Sequence, residues 1–265
     1  MFRFIVPFIF ILAFTSCASK FAKVQKSKDY EYKYKKADEY YAAKKYIFAQ
    51  QLYEEVSPFI RGTARYEDLY YKLAYSYYYQ KDYINAENLF KTFTETFPSS
   101  THTEECEYMR AYTFYKQSPK VELDQTNTTK AIGLLQAFIN THPSSSKIKE
   151  ANELMDLCRE KLELKEFKSA DLYYNLGLYK AAAIAFTTVS ENFPDSKRSD
   201  EYKLLVIKSY FKYAEMSYEE KQKERFEKVL SECSDFKERF VDSKYSEEVN
   251  KYKLQTNNYL KKITK

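Results

Sequence analysis

Residues Glu166 to Ser196 read EFKSADLYYNLGLYKAAAIAFTTVSENFPDS. A small residue, Ala170, is followed three places on by Tyr173; beyond the single Gly177, Tyr179 is followed by Ala182, Phe186 and Val189, and Pro194 closes the stretch. Steps of three and four residues put these side chains on one face of a helix on either side of a turn. The stretch therefore reads as two helices with small residues where they touch and aromatics filling the space between. Working outward, the same order recurs at Ala37, Tyr40, Tyr46, Ala49, Tyr53 and Val56, and again at Ala74, Tyr77, Tyr83, Ala86, Phe90, Phe93 and Pro98.

A further unit has Ala111 and Phe114 upstream of Ala131, Leu135, Phe138 and Pro143, with a longer inter-helix loop from Gln117 to Thr126. A last one has Val229, Cys233 and Phe236, with Val241 where proline is expected and a second helix expected to begin after the charged stretch Glu219 to Lys228. The unit ends are alike: Phe97-Pro98-Ser99-Ser100, His142-Pro143-Ser144-Ser145, Phe193-Pro194-Asp195-Ser196 and Phe240-Val241-Asp242-Ser243. Proline stops one helix, and the Ser or Asp after it can cap the next. The pattern is similar to that of the tetratricopeptide repeat. It predicts an all-α, right-handed α-solenoid of about five helix-turn-helix repeats, each burying its apolar face against its neighbours. No Gly or Pro stands between Lys147 and Asn175, which predicts one helix of about 29 residues, roughly 43 Å at 1.5 Å each. Residues 244–261 read as a C-terminal capping helix.

Composition narrows the function classes. The 265 residues include 3 Gly, 2 His and no Trp, against 28 Tyr and 20 Phe. So few glycines leave no material for phosphate-cradling loops, and His102 and His142 alone offer almost no candidates for His-based metal sites or His-dependent nucleophilic catalysis. No pair of carboxylates stands out as acid and base, so no enzyme, cofactor or metal is expected. The net charge of +5 comes from interspersed charges, a solvated surface and not a nucleic-acid footprint.

Residues 1–17, MFRFIVPFIFILAFTSC, carry Arg3, an apolar run from Phe4 to Phe14, then Thr15, Ser16 and Cys17. The run is too short to span a bilayer and has the length of a secretory signal. Its ending resembles a bacterial lipobox, with Phe14 where Leu is usual; that resemblance implies cleavage after residue 16 and acylation of Cys17, a covalent lipid anchor. No Asp follows Cys17, and by analogy with lipoprotein sorting the periplasmic face of the outer membrane is expected. Residues 17–27, with Lys20, Lys23 and Lys26, read as a basic tether that lies against anionic headgroups or is simply solvated. Cys106, Cys158 and Cys233 remain, an odd number that allows at most one disulfide and otherwise reads as small buried residues.

A signal and lipobox followed by five such repeats resembles the BamD (YfiO/ComL-like) family of outer-membrane β-barrel assembly lipoproteins, most specifically in Glu166 to Ala182 and Phe193 to Ser196. The resemblance implies a non-enzymatic scaffold. Its partners would be a barrel-forming subunit with periplasmic repeat domains, other assembly lipoproteins and unfolded outer-membrane clients. Repeats one to three (28–142) are the candidate client groove, and repeats four and five with the cap (143–265) the candidate docking region. Lys197 and Arg198 are docking candidates, or ordinary solvated helix ends. In such a solenoid the first helix of each repeat lines the groove, and its exposed places hold Tyr34, Tyr41, Tyr71, Tyr75, Tyr78, Tyr108, Tyr112 and Tyr115, with Asp38 as the ninth. Tyrosine combines large contact area, few rotors and a hydroxyl, which suits a grip on an extended peptide; a Tyr-rich composition filling half-exposed positions is the other reading. A generic periplasmic adaptor and a carbohydrate-binding lipoprotein are rival classes, the second disfavoured by the lack of Trp platforms.

Overall fold

The computed structural model describes residues 20–263. The signal peptide of residues 1–16 and the lipidation site Cys17 lie outside the described residues. Eleven helices follow a short helical segment at 20–25: α1 (Tyr30–Ala42), α2 (Tyr46–Ile60), α3 (Arg65–Tyr79), α4 (Tyr83–Thr96), α5 (Thr103–Gln117), α6 (Thr126–Thr141), α7 (Ile148–Asn175), α8 (Tyr179–Asn192), α9 (Ser199–Glu215), α10 (Glu219–Arg239) and α11 (Ser246–Ile263). Consecutive helices form antiparallel pairs, the all-α repeat architecture expected from the spacing. The chain divides into two compact units within α7, between Cys158 and Arg159. That is later than the 142/143 boundary read from the repeats, because Ala151, Leu154 and Met155 at the start of α7 are buried in the core of the first unit.

In the first unit each helix from α1 to α6 packs on the next. Ala37, Ala49, Ala74, Ala86, Ala111 and Ala131, the small residues of the repeat, are wholly buried where helices cross, and Tyr53, Phe90, Phe93, Leu135 and Phe138 fill the spaces beside them. The turn is built alike in the first, second and fourth hairpins. Lys44, Lys81 and Gly177 occupy the same place two residues before the second helix, all with positive φ (58°, 64° and 75°). Beside the turn, the Tyr that opens the second helix lies against a Tyr near the end of the first: Tyr46 on Tyr41 at 5.6 Å, Tyr83 on Tyr78 at 5.8 Å and Tyr179 on Tyr174 at 5.2 Å. Tyr173, expected between helices, is instead 39% exposed, because its neighbour Tyr174 takes that contact.

The second unit has two apolar clusters: Ala170, Ala182, Phe186, Val189 and Tyr202 join α7, α8 and α9, and Ile207, Phe211, Phe226, Val229, Cys233, Phe236 and Val249 join α9, α10 and α11. The charged stretch before the fifth repeat's second helix is part of that helix, since α10 starts at Glu219. Its charges suit a helical surface: Lys221 lies 3.9 Å from Glu224 and Lys228 2.6 Å from Glu232, while Phe226 and Val229 turn inward. The capping helix α11 buries Val249 against α10 as expected, and Val241 in the proline position is exposed.

Residues 20–25 are no free tether. Phe21 and Val24 are buried in the core of the first repeat, with Phe21 at 4.5 Å from the ring of Phe48 and 5.8 Å from that of Tyr40. Cys106, Cys158 and Cys233 are all buried, as read from their helical positions. Among the described residues no helix is long and apolar enough to cross a membrane, and no group of His, Cys, Asp or Glu is placed to hold a metal ion.

Candidate functional site

In the first unit α1, α3 and α5, the first helices of their repeats, stand side by side and present the eight tyrosines. None of the eight is fully exposed: Tyr75 and Tyr108 are buried, at 7% and 2% exposure, and the other six are half-buried. The expectation of eight exposed positions is corrected on this point. The cause is the closeness of adjacent first helices, whose side chains reach one another across the face.

These cross-helix contacts recur at a fixed interval. Tyr34 donates to Asp68 at 2.9 Å, Lys72 to Asp38 at 2.8 Å, and Tyr71 to Glu105 at 2.9 Å, each pair 34 residues apart. The interval is one repeat of 37 residues, Ala37 to Ala74 to Ala111, less about one helical turn. Asp38, the ninth position, also accepts from the buried Tyr53 at 2.7 Å, and Lys72 also reaches Asp68 at 2.7 Å. The result is one chain, Tyr53–Asp38–Lys72–Asp68–Tyr34, linking the first and second repeats. Between the second and third, Glu105 accepts from both Tyr71 and Tyr75. Asp68, Lys72 and Glu105 were not singled out from sequence; opposite polar types recurring at one repeat minus a turn were the signal available.

Burial and hydroxyl donation to carboxylates together push the pKa values of Tyr34, Tyr71 and Tyr75 far above the ordinary phenol range, so their protons stay on as donors. Tyr75 is core on its inner side, edge-on to Phe90 at 5.2 Å. Tyr108 packs edge-on to Phe138 at 5.5 Å, and burial together with the neighbouring Glu150 carboxylate pushes its pKa far above the ordinary phenol range. The more available rings are Tyr78, Tyr112 and Tyr115. Tyr78 lies 6.2 Å from Tyr112, and Tyr112 lies 5.9 Å from Tyr115. Burial, with the neighbouring phenols of Tyr112 and Tyr83, pushes Tyr78 up to about 12. Tyr41 sits against Tyr46 and Tyr53. The face is thus an aromatic strip whose innermost hydroxyls are committed to structure and whose outer rings are half-buried against one another, with the Lys116 ammonium over Tyr112 at 5.4 Å.

Residues 26–228 match the YfiO family, described as "Outer membrane lipoprotein". The chain belongs to the YfiO outer membrane lipoprotein family. All eight tyrosines of this YfiO-family chain lie within the matched residues, as do Lys197 and Arg198. No curated protein matches the chain significantly. Among solved structures it is similar to the "TPR2AB-domain:pHSP90-complex of yeast Sti1", at 10% identity over 86% of this chain and 98% of that one with a TM-score of 0.41. It is also similar to the "Crystal Structure of the Apo Form of RapI", at 13% identity over 88% and 99% with a TM-score of 0.36.

In the second unit of the YfiO-family chain the two docking candidates differ. Lys197 is exposed in the turn before α9. Arg198 is engaged: it forks onto Glu201 at 3.0 and 3.1 Å, and its guanidinium covers the rings of Phe167 at 4.2 Å and Tyr202 at 5.1 Å. Tyr202 in turn donates to Glu163, which also accepts from Ser196 at 2.6 Å. Arg198 therefore ties α9 to α7, and a partner would meet Lys197 first.

Proposed function

We propose that this lipoprotein is a non-enzymatic scaffold subunit of the outer-membrane β-barrel assembly machinery, anchored through Cys17 and facing the periplasm. In this reading its second unit docks the barrel-forming subunit, alongside other assembly lipoproteins, and its first unit receives unfolded outer-membrane proteins. The observation that carries it is the YfiO family match over 26–228, on a chain whose first unit presents a continuous strip of tyrosines. Transmembrane β-strands alternate apolar and polar residues and carry aromatic girdles. An extended segment of that kind can lay its aromatics against the half-buried rings of Tyr78, Tyr112 and Tyr115 and leave its alternate side chains to solvent.

Gentle detergent extraction of the native membrane tests the assembly role: a barrel protein with periplasmic repeat domains is expected to co-purify. Its reproducible absence would favour a generic envelope adaptor. The client role is tested at Tyr78 and Tyr112, which are half-buried and stand outside the tyrosine–carboxylate contacts of Tyr34, Tyr71 and Tyr75. Tyr75 is a poor probe because removing it also empties core space beside Phe90. The paired Tyr78→Ala and Tyr112→Ala variant is expected to bind a strand-derived peptide about tenfold or more weakly, by fluorescence anisotropy, with helical circular dichroism unchanged. Unaltered affinity would confine the tyrosines to a structural role.

A further inference from the structure

We infer that one edge of the first unit, carrying Lys20, Lys23, Lys44, Ile47, Lys81 and Ile84, rests on an anionic phospholipid surface when the chain is anchored. This rests on the reading of Cys17 as the acylated residue. The direction of the helical segment at 20–25 carries the argument. Phe21 lies on Phe48, near the start of α2, whereas Gln25 donates at 3.1 Å to Glu55, two turns further along that helix. The segment therefore runs beside α2 from its N-terminal end, and Lys20, the first described residue, stands toward the α1–α2 turn. Four peptide steps from Cys17 to Phe21 reach at most about 14 Å. An anchor on Cys17 holds that turn close to the bilayer.

The α3–α4 turn lies on the same edge, because Tyr46 stacks on Tyr79 at 4.4 Å and Gln80 donates to Gln50 at 2.9 Å. Both turns have the same chemistry. Lys44 and Lys81 are exposed, and three residues after each stands an exposed isoleucine, Ile47 at 51% and Ile84 at 66%. Lys20 and Lys23 are exposed on the segment beside α2. Alternating ammonium groups and unpartnered branched apolar side chains suit the headgroup and upper acyl layer of a membrane. Each lysine near an anionic surface adds to the attraction. The opposite edge carries Glu67, Asp68, Glu104 and Glu105 in the first turns of α3 and α5. Arg61 and Arg65 stand on that edge as well, Arg65 paired with Glu31, and Asp82 follows Lys81, so the lysine–isoleucine pairs and not a charge divide set the posture. Seated this way, the tyrosine strip stands with its turn end at the membrane, where a client strand would be passed on.

The test uses the acylated full-length chain in phosphatidylcholine vesicles with or without phosphatidylglycerol. A fluorophore is placed through Ile84→Cys or, on the other edge, Ser99→Cys; the three internal cysteines are buried and label slowly. A quencher on the lipid headgroup is expected to dim the label at position 84 severalfold more than that at 99 when phosphatidylglycerol is present. High salt or the double change Lys44→Glu and Lys81→Glu should abolish the difference while Cys17-dependent flotation persists. Equal quenching at both positions, or a difference insensitive to charge, overturns the inference and leaves anchoring standing. Shielding of position 84 only by an added protein assigns the edge to a protein partner and overturns it likewise. Loss of flotation for the unaltered chain overturns the anchoring reading as well.

Discussion

Phe90→Ala is expected to lower the unfolding free energy of the first unit by about 3–5 kcal/mol, the largest single-residue effect among its aromatics. Phe90 is wholly buried in α4, where Tyr75 meets it edge-on at 5.2 Å and Ala74, Phe93, Cys106 and Leu135 belong to the same cluster. Two contributions add: the transfer of a ring back to water, and a cavity that the neighbours cannot fill because the helices beside it are held by alanines already in contact. A stability of ~5–15 kcal/mol is typical of whole domains, so this loss is a large fraction of it. Urea unfolding followed by circular dichroism should show a lower midpoint at little-changed slope. A midpoint within error of the unaltered protein would mean that the cluster is not a cooperative core.

Lys203→Ala is expected to cost the second unit about 3–5 kcal/mol near neutral pH, for an electrostatic reason. Lys203 is nearly buried in α9 and pairs with both Glu232 and Asp235 of α10, while Glu232 has a further partner in Lys228 at 2.6 Å. Removing the ammonium leaves the Glu232 carboxylate buried with a single, more exposed partner. Burial alone would raise the pKa of Glu232, but hydrogen bonds from Lys203 and Lys228 outweigh it and hold the pKa below its ordinary value. A carboxylate lowered in this way contributes stability above its unfolded pKa of about 4.3, and that contribution disappears as pH falls through the lower, folded value. The penalty of Lys203→Ala should therefore be full at neutral pH and shrink below about pH 4. The paired change Lys203→Met and Glu232→Leu should recover most of the loss, since it leaves no buried charge unpaired: the other partners, Asp235 and Lys228, are half-exposed and stay solvated. A penalty independent of pH, or no recovery in the pair, would show that Lys203 acts through packing alone.

Much of the architecture was legible because its determinants are local. Ala37, Ala74 and Ala170, the Tyr that opens each second helix and the Pro that closes it repeat at helical spacing, so hairpin, turn and helix ends follow from neighbours in the chain. Even the long α7, 28 residues against about 29 expected, follows from the lack of Gly and Pro. Two expectations failed where a local pattern was misread. The charged start of α10 looked like a linker although its charges pair along the helix, and the lysines after residue 19 looked like a tether although Phe21 and Val24 among them are core residues.

The candidate face was legible only as a set of positions. Sequence by itself determined that this is a repeat of helical hairpins and which side of each first helix bears tyrosine, because both depend on contacts within a few residues. Tertiary structure alone decided how much of each tyrosine is available. Partners 34 residues apart, such as Tyr71 and Glu105, meet only when one repeat stacks on the next, and the offset of that stacking sends some hydroxyls to carboxylates and leaves Tyr78 and Tyr112 half-buried against each other. Helical periodicity specifies the face of a helix on which a side chain stands. How closely the neighbouring helix approaches, and with which residue opposite, is set by the packing of alanines and phenylalanines throughout the unit.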